Sequence, residues 1–169
     1  MTLPPPPPLD VQAYHVDEFG LRALDEYDPE RPSRGAFDID FDIHQHSEDP
    51  KAFRITMRIK FAERGYTAEE NPPYTITLTI TGYFVFAEET PNSVMERMID
   101  INGASILYGI ARGFVGQATG ASRHDQFVLP AVNFIELVKA RAASASEGVA
   151  EPQNEGVPSG APEAPAKQS

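Results

Sequence analysis

The chain reads as an α+β domain: a four-stranded antiparallel sheet with a long helix and a shorter C-terminal helix on one face. Three observations predict it. Stretches with strict period-two alternation follow one another, which is the pattern of strands with one buried and one wet face. A helical stretch with two unlike faces then runs through the segment Asn102 to Phe134. Strands come first and helices second, without the interleaving that a parallel sheet needs.

The elements follow in order. Val11 to Leu21 is a short first strand with mixed faces, and the acidic, Pro-broken run Leu24 to Arg34 connects it onward. In Phe37 to His46, Phe37, Ile39, Phe41 and Ile43 form one face, and Asp38, Asp40, Asp42, His44 and His46 form the other. Ser47 to Pro50 is a turn. Phe53 to Phe61 repeats the alternation with basic residues on its wet face, so antiparallel pairing sets an aspartate row against Arg54, Arg58 and Lys60. Tyr74 to Phe86 alternates apolar residues with Thr75, Thr77, Thr79 and Thr81, and Gly82 on its apolar row marks either a bulge, the favoured reading, or a gap that lets another chain approach. A short helix over Ser93 to Ile101 leads into the long one, and Pro130 opens a last helix, Ala131 to about Ala142.

Composition bounds the rest. Residues 1–9 contain an unbroken Pro4 to Pro8 run, and residues 143–169 are rich in Ser, Ala, Gly, Pro and Glu; both are expected to stay disordered around a domain at 10–142. The net charge of −11 argues against nucleic acid, which needs clustered Lys and Arg. There are no cysteines, no signal-peptide pattern and no apolar run long enough to insert into a membrane, so a cytoplasmic location is expected.

No residue set calls for catalysis or a cofactor. Asp42, His44 and His46 share one strand face, and a carboxylate with two imidazoles is a zinc-competent set, which gives the alternative of a metal or small-ligand binding module. Ser122, His124 and Asp125 are nearly consecutive, whereas a triad converges from separated elements. The glycines from Gly109 to Gly120 lie within a helix and follow no strand, so they are not a dinucleotide fingerprint, and no P-loop is present. The expectation is a protein that is not an enzyme and uses no cofactor.

The long helix carries Leu107, Ile110, Ala111, Phe114 and Ala118 on its apolar face. Gly109, Gly113, Gly116 and Gly120 line the opposite side, where each glycine costs roughly 1 kcal/mol relative to alanine. Close packing against another subunit is the expected compensation. Phe37, Phe41, Phe53, Tyr74, Phe84 and Phe86, with Phe127 and Leu129 on the loop after the helix, are the candidates for an apolar groove that one layer of helices leaves uncovered. Asp17, Glu18, Asp38, Asp40 and Asp42 are candidates for an acidic face that docks a partner.

Ser105 to Phe134 resembles, without a gap, the helix-and-loop segment of the SecB protein-export chaperones. Ile106 to Arg112 (ILYGIAR) is similar to the family's ILFPYAR, and Leu129 to Phe134 (LPAVNF) to its LAPVNF. Phe53 to Phe61 and Thr81 to Phe84 resemble two of its strands. The resemblance implies a homotetramer, a dimer of dimers with the long helices between sheets. It implies ATP-independent holding of unfolded precursors in apolar grooves, and handover to the SecA translocation motor. The family's docking site for SecA has acidic residues where this chain has Thr77 and, near the first strand's site, Gly20. Gly109 stands where the family usually has proline. A SecB-like chaperone serving a non-export client such as an antitoxin is therefore the alternative.

Overall fold

The computed structural model describes residues 7–147. The expected disorder of the N-terminal run and of the tail therefore falls largely outside the described residues. Four strands, β1 (Leu9–Ala23), β2 (Phe37–Gln45), β3 (Ala52–Phe61) and β4 (Tyr74–Phe86), form one sheet in the order β1-β4-β3-β2, antiparallel throughout. Three helices follow: α1 (Asn92–Met98), α2 (Ala104–Gly120) and α3 (Phe134–Glu147), with one π-helical turn, Ile99–Gly103, joining α1 to α2. The α+β expectation holds.

Period two does what it should in the middle of the sheet. Ile55, Met57, Ile59, Tyr74, Ile76, Leu78 and Ile80 are buried on one face beneath Leu107, Ala111 and Val115 of α2. The opposite face is a grid of polar residues across the register. Glu18, Thr79, Arg58 and Asp40 stand in one row, and Gly20, Thr77, Lys60 and Asp38 in the next. The aspartate and basic rows meet as expected. Arg58 reaches Asp42 at 2.5 Å and Asp40 at 3.4 Å, and Arg64 reaches Asp38 at 3.2 Å.

β1 is longer than the expected Val11 to Leu21 and contains two register shifts, between Val11 and Ala13 and between Val16 and Glu18. Each inserts one residue and reverses which parity faces the core, so Leu9 and Val11, then Val16, then Phe19 and Leu21 pack inward. Gly82 stands in regular register with both neighbours and is no bulge. A Cβ there would lie 2.9 Å from both Leu107 Cδ1 and Phe84 Cε2, so the glycine admits α2 close to the sheet.

The last helix starts at Phe134 rather than Ala131. Its cap is Asn133, whose Oδ1 accepts from the N–H groups of Ile135 and Glu136. Its end runs past the expected boundary at Ala142 to Glu147.

Candidate functional site

On α2 the buried residues are Ala104, Leu107, Tyr108, Ala111, Val115, Gly116 and Thr119. Ile110, Phe114 and Ala118 lie on its half-buried flank, with Phe114 edge-on to Phe19 of β1 at 4.9 Å. The face is rotated because two polar-tipped residues join it, and both find partners in the α2–α3 loop. Tyr108 Oη donates to the Pro130 carbonyl at 2.5 Å, and burial pushes its phenol up to about 12. Thr119 Oγ1 accepts from the Phe127 N–H at 2.9 Å.

The same loop is tied down at further points. Tyr74, buried on β4, accepts from the His124 N–H at 3.1 Å and donates toward the Asp125 carbonyl at 3.2 Å. The His124 ring packs edge-on to Tyr27 and bonds the Leu24 carbonyl at 2.8 Å. Arg112 donates to the Leu129 carbonyl at 3.1 Å. The result is a rigid rim. Between it and the β1–β2 connection lies a cavity of about 390 Å³, lined by Tyr27, Arg34, Gly35, Phe61, His124 and Phe127 among others.

The groove candidates divide. Phe41, Phe53, Tyr74, Phe84, Phe86 and Leu129 are at most 8% exposed and pack in the protomer's core, with Phe41, Phe53 and Phe84 also lining cavities at its surface. Phe37 and Phe127 are half-buried. Phe127 lines the cavity beside the Phe61 ring, 4.6 Å away, while Phe37 sits edge-on to Tyr108 at 6.3 Å. The strand pattern cannot distinguish core from groove, since both need the same alternation. Tyr27, Arg34 and Gly35 of the cavity had no periodic signal at all, being in a loop.

The glycine line also divides. A Cβ at Gly109 or Gly113 would meet nothing within 4 Å, whereas at Gly116 it would lie 3.0 Å from Gln126 Nε2, and at Gly120 4.0 Å from Gln126 Cβ. Half of the line is thus the seat of this chain's own loop. The acidic candidates do not form one cluster: Asp38, Asp40 and Asp42 line β2, while Asp17 on β1 accepts from Thr81 at 2.7 Å and pairs with His15 at 3.0 Å. Glu18 follows Asp17 on β1 and lies opposite Thr79, with β4 and β3 between it and the β2 aspartates.

Asp42, His44 and His46 do not converge as a zinc set. Asp42 is held by Arg58, which keeps its carboxyl below the usual range, and His46 Nδ1 accepts from the N–H groups of Glu48 and Asp49 in the following turn. Among the described residues no group of three potential ligands is placed to hold a metal ion. None of their helices is long and apolar enough to cross a membrane.

The family model described as SecB, preprotein translocase subunit SecB, matches residues 11–145. The chain belongs to the SecB family. Membership makes it a chaperone by family, in keeping with a site built from loops and strand edges. Among solved structures, a SecB-like chaperone of Mycobacterium tuberculosis, Rv1957, in complex with a ChAD peptide from the Rv1956 HigA1 antitoxin, is similar in fold. It is 14% identical, with a TM-score of 0.51, and the match covers 74% of this chain and 91% of that one. A Streptococcus agalactiae protein of unknown function also aligns, at 16% identity and a TM-score of 0.43, over 73% of this chain and 97% of that one. No curated protein matches.

Proposed function

We propose that this SecB-family chain is an ATP-independent holdase that keeps unfolded precursor proteins competent for export. The observation that carries this reading is the family match across residues 11–145, which takes in all of the sheet but the first two residues of β1, and all but the end of α3. Two features support a site for extended chains. The cavity at Phe61 and Phe127 offers an apolar wall on a fixed rim. β2 is an edge strand, and the bonds from Ala62 N–H to Ala36 O and from His46 N–H to Ala52 O put its even-numbered residues against β3. The N–H and C=O groups of Phe37, Ile39, Phe41 and Ile43 therefore point outward, and a client segment in strand conformation can add to them.

The proposed assembly is a homotetramer, a dimer of dimers, with Gly109 and Gly113 at an interface between long helices. A complex with SecA is the proposed export step, docked on the polar sheet face through Asp17, Glu18 and the β2 aspartates. A second reading, a client such as an antitoxin in place of export, is favoured by one observation. At Gly20, near a position acidic in the family, a Cβ would lie 2.5 Å from Thr77 Oγ1, so Thr77 would have to move before an acidic side chain could stand there.

Refolding of a chemically denatured client tests the holdase reading. Stoichiometric protein without ATP is expected to suppress aggregation, and no suppression refutes it. Pulldown from the native cytoplasm separates the two client classes: secretory precursors with SecA for the first, an antitoxin without SecA for the second.

A further inference from the structure

On the same helix-covered face of the sheet as the Phe127 rim, a separate cavity of about 480 Å³ lies between β2, the π-helical turn and α3. Its floor is the Phe41 ring. Phe41 stands on an edge strand yet is only 2% exposed, and Arg141 of α3 lies over it, the guanidinium carbon 4.3 Å from the ring centroid. A guanidinium at that distance is attracted by the negative face of the ring. Carboxylates surround the same point. Arg141 approaches Asp40 at 3.9 Å, and its charge also acts on Asp42 and on Asp100 of the π turn.

These carboxylates are unequally satisfied. Asp42 has Arg58 at 2.5 Å, and Asp40 shares that guanidinium at 3.4 Å. Asp100 is half-buried, and burial pushes its carboxyl above the usual range while the charge of Arg141 opposes the rise. Two carboxylates, Asp42 and Asp100, line the cavity above an aromatic floor, with Asp40 in reach of the same guanidinium, and together they make a receptor for a planar cation; one already sits in it. Arg141 is a loose tenant. Its side chain is 41% exposed, and α3 is anchored upstream by the buried Phe134 and half-buried Leu137 and Val138 rather than by its last turns.

We propose that this cavity receives an arginine side chain of a bound polypeptide, and that Arg141 is its resident occupant, displaced when the client enters. Charge complementarity selects this occupant. A second copy pairing β2 against β2 would bring Asp38, Asp40 and Asp42 against their own counterparts, and like charges directly opposite are destabilising. A client arginine meets the reverse situation. The proposal rests on the polypeptide-holding reading above: a client strand added at β2 passes this cavity.

The test compares a labelled, unstructured apolar peptide carrying one arginine with its twin carrying citrulline, which keeps the shape and loses the charge. Both are titrated against the full chain. Wild type is expected to prefer the arginine peptide. Arg141→Gln is expected to raise affinity for that peptide roughly two- to fivefold, the weight of an exposed cation–π contact, and to leave the citrulline peptide unchanged. Adding Asp100→Asn to Arg141→Gln is expected to reduce the preference. Equal binding of both peptides by wild type and Arg141→Gln overturns the proposal while leaving the holdase reading standing. Binding of neither peptide overturns both. Circular dichroism of each variant confirms that α3 is retained.

Discussion

Two aspartates beside Arg141 answer pH in opposite directions. Hydrogen bonding by Arg58 holds the Asp42 carboxyl below 3.8, so its contribution to stability is present above that value and is lost as pH falls. Burial holds Asp100 above 3.8, with Arg141 opposing and Glu96 adding to the rise, so its contribution is full below 3.8 and is lost as pH climbs through the folded value. Asp100→Asn is therefore expected to be more stable than wild type near neutral pH, with the advantage gone in acid. Asp42→Asn is expected to be less stable near neutral pH, with that deficit fading in acid. Urea denaturation at about pH 7 and about pH 3 checks both, and parallel behaviour of the two variants would refute the assignment. Tyr74→Phe is a different kind of residue change. It strands the His124 N–H and the loop carbonyls that the hydroxyl serves, at an expected cost of about 1–3 kcal/mol. Amide exchange of residues 121–128 should accelerate before that of β3 or β4.

At the scale of elements, α3 depends on a cap that short-range reading misplaced. Pro130 looked like a helix opener, but its carbonyl is occupied by Tyr108 and the chain turns helical only after Asn133. Asn133→Ala is expected to cost about 1 kcal/mol and to fray the first turn of α3, seen as faster exchange at Ile135 and Glu136. Legibility differs between elements for physical reasons. β2, β3 and β4 were readable because each keeps one parity toward the core, and the matched aspartate and basic rows fixed their register. β1 was only partly readable, since the extra residues at its two register shifts reverse parity twice along the strand. The buried face of α2 was misjudged by about one position because Tyr108 and Thr119 look polar, and only the folded loop shows that their hydroxyls are satisfied. The aromatics of the strands were visible at once, but their division into core and cavity depends on where that loop lies.

At the scale of the whole molecule, the glycine line separates the folding of one protomer from its assembly. A Cβ at Gly113 meets nothing within 4 Å in the protomer, and Gly113→Leu replaces a residue that costs the helix roughly 1 kcal/mol relative to alanine. The protomer is expected to keep its fold and gain a few tenths to about 1 kcal/mol of helix stability. Gly116→Leu differs, since the new side chain must push Gln126 and the rim of the cavity aside. If long helices pack against one another at Gly109 and Gly113, Gly113→Leu lowers the sedimentation coefficient while circular dichroism stays native. Gly116→Leu would perturb the Phe127 rim first, weakening peptide binding whether or not the assembly changes. An unchanged sedimentation profile for Gly113→Leu would remove the open glycines from the subunit interface. Their open space would then be left without a packing explanation. Using both variants matters because either alone confounds rim and interface, and the two glycines differ in what the protomer itself places over them.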